Sequence, residues 1–182
     1  MYIMKKTVEV ITMEAYVMDA FSARIFGGNQ AGVVLPDRPL SDAVMRQIAA
    51  EFKHSETAFV TREPDGSVSL RYFTPAGEVE LCGHATVASF ALLRQLGSVP
   101  DGDCTAHTKA GELTVTVRGD TVWMDMAPPQ LLADIPSDER AALYAAYGLT
   151  PADMPSGYIP RIVSTGLADI MLPVRDHDTL MR

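Results

Sequence analysis

Apolar and polar positions alternate from Glu14 to Phe21 (EAYVMDAF) as they do in a half-buried strand, and this predicts the first element of a β-rich stretch. A glycine-rich turn over Phe26–Gly32 (FGGNQAG) then feeds a short apolar strand, Val33–Leu35. Between Leu40 and Phe52 the period changes: Ala43, Val44, Ile48 and Phe52 recur at helical spacing behind Ser41, a suitable N-cap. Thr57–Thr61 and Ser67–Phe73 read as two strands joined by the turn Pro64-Asp65-Gly66. The segment after Gly83, HATVASFALLRQL, is apolar or small on nearly every face and is closed by Gly97 as a C-cap. A helix of that composition over about 83–96 has to be surrounded. At ~1.5 Å per residue it is about 20 Å long, which suits the axis of a sheet curled around it. Glu112–Val117 and Thr121–Met126 read as further strands around the turn Arg118-Gly119-Asp120.

Strands on both sides of one buried helix define an α+β class, with a curled, mostly antiparallel, barrel-like sheet. The pattern divides the chain into an N-terminal extension (1–13), a first domain (14–126), a linker (127–136) beginning with Ala127-Pro128-Pro129-Gln130, and the start of a second domain (137–182). In that last stretch Ser137–Tyr147 reads as a helix capped by Ser137 and ended by Gly148. Arg161–Ser164 and Asp169–Val174 read as strands around Gly166, and Asp176–Arg182 as the first turns of a helix. These elements are too few to close a core, so the second domain is expected to be truncated.

Composition narrows the function classes. Apolar residues at 47% and charged residues at 21% specify a folded protein rather than a disordered one. A net charge of -8 disfavours nucleic acid and anionic membranes as partners, because phosphate binding needs a basic surface. No apolar run reaches the roughly 20 residues needed to span a bilayer. The start, MYIMKKTVEVIT, is interrupted by Glu9 and lacks a small-residue cleavage site, so it reads as an extension or an added edge strand rather than a signal peptide. Cys82 and Cys104 give no disulfide framework and no C-x-x-C pair, which favours a reducing, cytoplasmic setting.

Two short constellations carry candidate chemistry. In His54-Ser55-Glu56-Thr57-Ala58-Phe59, Glu56 opens an apolar strand, where partial burial would suit it to take and return a proton; a surface glutamate at a strand end is the plain alternative. In Glu80-Leu81-Cys82-Gly83-His84-Ala85-Thr86, the free N–H groups of the helix start form a ready anion site, and Cys82 could act there as a thiolate base with a lowered pKa. The alternatives are that Gly83 serves close packing, that His84 or Thr86 caps the helix, and that Cys82 is a small buried hydrophobe. His54-x-Glu56 followed by Cys82 matches half of a zinc-deaminase signature, but the P-C-x-x-C half is missing. No metal is therefore expected, and His107 and His177 read as ordinary surface residues.

Taken in order, DAF (19–21), FGGNQAGVV (26–34), SETAFV (55–60) and RYFTPAGEVELCGHAT (71–86) resemble the N-terminal half of PhzF-like proteins, relatives of diaminopimelate epimerase. The resemblance covers residues 14 to 130, and VSTGLADIMLPV (163–174) resembles the opening of the family's second domain. It implies a diaminopimelate epimerase-like fold of two similar domains with the active site between them. It also implies an isomerase or epimerase that works by proton abstraction and redelivery on a small carboxylate, with no metal or organic cofactor. By the same resemblance Glu56 is the acid/base residue, with His84 and Cys82 assisting. Gly83, Ala85, Thr86, Asn29 and Ser55 are the expected substrate contacts.

The sequence departs from the family at Gln30, where proline is common. Cys82 stands where the epimerase relatives carry a catalytic cysteine, which leaves one-base and two-base mechanisms open. The acidic D-P-A-T-G-S-type motif of the second half does not occur before Arg182. The chain alone is thus expected to be inactive and to hold half a cleft and an open sheet edge, both of which favour aggregation or an unusual homodimer. A non-catalytic small-molecule binding or interaction protein on the same fold is the alternative class, and a zinc-dependent deaminase the more remote one.

Overall fold

The computed structural model describes residues 13–24 and 26–182, so the expectation for residues 1–12 lies outside the described residues. The chain divides between Asp125 and Met126 into two compact units.

The first unit contains strands β1 (Glu14–Ala20), β2 (Asn29–Leu35), β3 (Thr57–Arg62), β4 (Val68–Phe73), β5 (Glu78–Val79), β6 (Gly102–Thr108), β7 (Gly111–Arg118) and β8 (Thr121–Met124). They form one eight-stranded sheet in the order β1-β2-β3-β4-β6-β7-β8, with β5 pairing β4 off that path. Pairing is antiparallel except for β2 with β3 and β4 with β6. Parallel neighbours need a crossover, and each parallel pair has one helix in its connection. Helix α1 (Asp42–Phe52) links β2 to β3, and α2 (Gly83–Gln95) lies between β4 and β6 in the chain.

The two helices take opposite faces of the sheet, and the period-two alternation of the strands shows why. Ala31 and Val33 of β2, Ala58 and Val60 of β3, and Val68, Leu70 and Tyr72 of β4 pack with Ala85, Ala88, Phe90, Leu92 and Leu93 of α2 in the main core. The intervening Val34, Phe59 and Phe73 turn the other way, onto Met45 and Ala49 of α1. Phe59 and Phe73 meet edge to face, centroids 5.6 Å apart. The α2 sequence, apolar all round, is thus explained by a sheet that curls about it. Among the described residues no helix is long and apolar enough to cross a membrane.

Local chemistry sets the element ends nearest the site. Ser41 accepts the Val44 N–H as the N-cap of α1, and Lys53 takes a left-handed conformation (φ 59°) that ends the helix, its N–H bonded to the Ala49 carbonyl. Three residues later the chain enters β3. In the turn before β2, a Cβ on Gly28 would stand 2.3 Å from the Ala20 carbonyl oxygen and 3.0 Å from the Asp19 carbonyl carbon. Because the obstacle is main chain and cannot swing away, Gly28→Ala is expected to cost about 1–3 kcal/mol of stability, read as a lower urea midpoint with unchanged slope. An unchanged midpoint would show that the turn relaxes freely.

The second unit is a three-stranded antiparallel sheet, β11-β10-β9, of β9 (Gln130–Asp134), β10 (Arg161–Ser164) and β11 (Ala168–Met171), with helices α3 (Arg140–Ala146) and α4 (His177–Leu180). Its buried polar centre is Asp153, which accepts from the Thr150 N–H and hydroxyl and pairs with Arg182 at 2.7 Å and Arg175 at 3.2 Å. These partners, the Thr150 N–H first, hold its carboxyl down to a pKa of about 2.

Several expectations need correction. Strand β2 begins at Asn29 rather than Val33, so the NQAG half of the glycine-rich turn is already paired with β1. Strand β6 was not foreseen: GDCTAHT lacks a β-branched run, and β4 and β7 hold it on its two sides. Residues 130–134 lie in the stretch read as linker, yet they form β9. Ser137 does not cap α3, because residues 137–139 form a turn and the helix starts at Arg140 behind Glu139.

Candidate active site

Glu56 immediately precedes β3. Its main chain is fixed by the Gly32 N–H, which donates to the Glu56 carbonyl at 3.2 Å. Gly32 permits this approach, since a Cβ there would come within 2.8 Å of the buried Thr57 hydroxyl. Cys82 and His84 arrive from another direction. The turn at Thr74–Gly77 is closed by main-chain and Thr74 hydroxyl bonds, and β5 runs back along β4 to deliver Cys82 to the start of α2.

The start of α2 is anchored from below. Thr86 is fully buried; its hydroxyl donates to the Cys82 carbonyl at 2.7 Å and also meets the Tyr72 hydroxyl at 2.7 Å, and its N–H donates to the same carbonyl at 3.0 Å. The hydroxyl and N–H of Thr86, a residue expected to contact substrate, thus both bond within the protein and tie the helix start to β4. Tyr72 is the partner sequence reasoning missed. An apolar-flanked tyrosine in a strand gives no sign of which helix it will meet.

The structure brings Glu56, Cys82 and His84 together. Cys82 Sγ lies 3.3 Å from His84 Nδ1, and His84 Nε2 lies 3.6 Å from Glu56 Oε2. The 3.6 Å separation exceeds a hydrogen bond, and Nε2, buried, has no hydrogen-bond partner among the described residues. The ring thus lies between the two groups, with Nδ1 toward the Cys82 thiol and Nε2 toward the Glu56 carboxylate. The Glu56 side chain is 24% exposed and that of His84 11%. A proton-accepting group is thus reachable from solvent, with its neighbours behind it.

The surroundings of Cys82 act against a thiolate. Burial pushes its thiol up to about 11, and the neighbouring Glu56 charge adds to the effect; the N–H groups of Ala85 and His84 oppose it without prevailing. The helix start that suggested a lowered pKa contributes less than desolvation removes. Alkylation of Cys82, followed by mass spectrometry, is therefore expected to accelerate about tenfold per pH unit from pH 7 to pH 10. A plateau below pH 8 would mean a thiolate already formed.

Asn29 opens β2 opposite Ala20 and Ser55 immediately precedes Glu56; both are exposed. Because β2 and β3 run parallel with Gly32 beside Thr57, the two residues lie at the same end of the sheet as Glu56. Gly83 and Ala85 sit in the first turn of α2, Ala85 fully buried and available only through its main chain. His107 bonds the Ser67 hydroxyl at 3.1 Å, and His177 is exposed on α4.

The first unit is thus an α+β half-barrel whose central helix starts beside a glutamate, a histidine and a cysteine. The model of the phenazine biosynthesis-like proteins (PhzC-PhzF) matches residues 18–182, and the chain belongs to that family. It is similar to the uncharacterized isomerase YddE of Escherichia coli O157:H7, 38% identical over 89% of this chain and 56% of the relative. Among solved structures, the PhzF-family phenazine biosynthesis protein of Bacillus anthracis is 31% identical with a TM-score of 0.82, covering 92% of this chain and 57% of that one. The predicted epimerase PA4716 of Pseudomonas aeruginosa is 28% identical with a TM-score of 0.81, covering 94% of this chain and 62% of that one. The chain therefore spans somewhat over half the length of these relatives.

Proposed function

We propose that this chain supplies one side of the active site of a cofactor-independent isomerase or epimerase acting on a small carboxylate. The observation that carries the reading is the placement of the partly exposed Glu56 carboxylate 3.6 Å from a histidine in the first turn of the buried helix. The N–H groups at the start of that turn bind the substrate carboxylate, those of His84 and Ala85 exchanging the Cys82 sulfur for it, as the positive end of a helix favours an anion. Binding there holds the adjacent C–H toward Glu56, which takes the proton and returns it to another face or another carbon. His84 lines the same site 3.6 Å from the Glu56 carboxylate, and the protonated Cys82 thiol is suited to donate a proton rather than to accept one.

The lone pair that forms on carbon is stabilised by the bound carboxylate, so the cycle consumes no redox equivalent. The fold is expected to act as a homodimer in the cytoplasm. The test is uptake of solvent deuterium at the carbon beside the carboxylate, in the protein expressed from its whole reading frame. Loss of uptake in Glu56→Ala supports the reading. A carboxylate that binds but never exchanges would instead make this a binding protein.

A further inference from the structure

Glu56, Cys82 and His84 present an oxygen, a sulfur and a nitrogen ligand atom that all lie within 4.8 Å of one another. We propose that this trio is a reversible binding site for a thiophilic divalent cation of the zinc class, and that its occupation shuts the proton-transfer site. The metal-binding half stands on geometry alone; the inhibitory half rests on the function proposed above.

Zinc bonds of about 2.3 Å to sulfur and about 2.0–2.2 Å to nitrogen and oxygen place tetrahedral ligand atoms roughly 3.3–3.7 Å apart. The 3.3 Å between Cys82 Sγ and His84 Nδ1 already has that spacing. Glu56 is the adjustable member: its side chain is partly exposed and its carboxylate lies 3.6 Å from His84 Nε2, so it has to turn toward the Cys82 side of the ring to complete the set. Three protein ligands leave a fourth position toward solvent, the pattern of an open site rather than a closed structural one.

Sulfur and imidazole select zinc over magnesium or calcium, which prefer all-oxygen shells. The positive end of the helix opposes a cation and keeps binding reversible. The metal is not a cofactor in this scheme. A zinc-bound Glu56 cannot accept a proton, and the metal occupies the approach to the helix N–H groups.

Titration calorimetry of the purified protein with zinc chloride and, separately, magnesium chloride tests the site. One zinc per chain and no magnesium uptake are expected. Cys82→Ser and His84→Gln should each weaken zinc at least about tenfold with an unchanged circular dichroism spectrum, whereas Cys104→Ser should not. Cobalt(II) should give a thiolate charge-transfer band that is absent in Cys82→Ser. No zinc uptake, or uptake indifferent to both Cys82→Ser and His84→Gln, overturns the site.

In the exchange assay, zinc should suppress deuterium uptake and a chelator restore it; uptake that rises with zinc overturns the inhibitory role. A protein that binds zinc through the trio yet exchanges no carboxylate would refute the proposed isomerase while the metal site stands.

Discussion

Glu56→Gln is expected to lower turnover at least ~100-fold, the range lost when a positioned general base is removed. Glutamine has the same length and shape and cannot accept a proton. The backbone at this position is held by the Gly32 N–H, and the side chain carries no core packing, so the substitution leaves the fold alone. Stability should stay within about 0.5 kcal/mol of wild type. The N–H groups proposed to bind the carboxylate belong to α2, not to Glu56, so the loss should fall on kcat with KM changing little. A loss confined to KM would assign Glu56 to substrate binding, and full activity would remove it from the chemistry.

Phe90→Ala is expected to destabilise the first unit by about 3–5 kcal/mol. Phe90 is fully buried at the middle of α2, among residues drawn from the strands that surround the helix. The sheet is paired continuously from β1 to β8 and curls about the helix, so it cannot easily collapse onto the vacated volume. The effect should be read by urea unfolding. A cost under about 1 kcal/mol would mean that the core refills and that α2 is less enclosed than the packing shows.

The helices of the first unit were legible because each carries a local signal. Ser41 caps α1, and the all-round apolar character of α2 can arise in a soluble fold only from enclosure. Strands with alternating or β-branched residues, such as β4 and β7, were legible for the same reason. Those created by their neighbours were not: β6 is held by β4 and β7, and β9, whose residues are all exposed, by pairing with β10.

The site was legible as a set of residues through the ordered motifs, but not as an arrangement. Glu56 and His84 are brought together by the parallel pairing of β2 with β3 and by the β4–β5 hairpin, neither of which leaves a local trace near them. For Cys82, the helix start was visible in the sequence and the desolvation that outweighs it was not. Thr86 was legible as important, yet its hydroxyl turns inward to Tyr72 and Cys82.

The central claim is that a proton passes through Glu56, and deuterium exchange tests it most directly. A panel of small carboxylates bearing an acidic C–H is incubated in D2O with wild type and with Glu56→Gln, each expressed from the whole reading frame, and followed by proton NMR. The account predicts that at least one member loses its C–H signal with wild type and keeps it with Glu56→Gln. Equal exchange by the two proteins would contradict it.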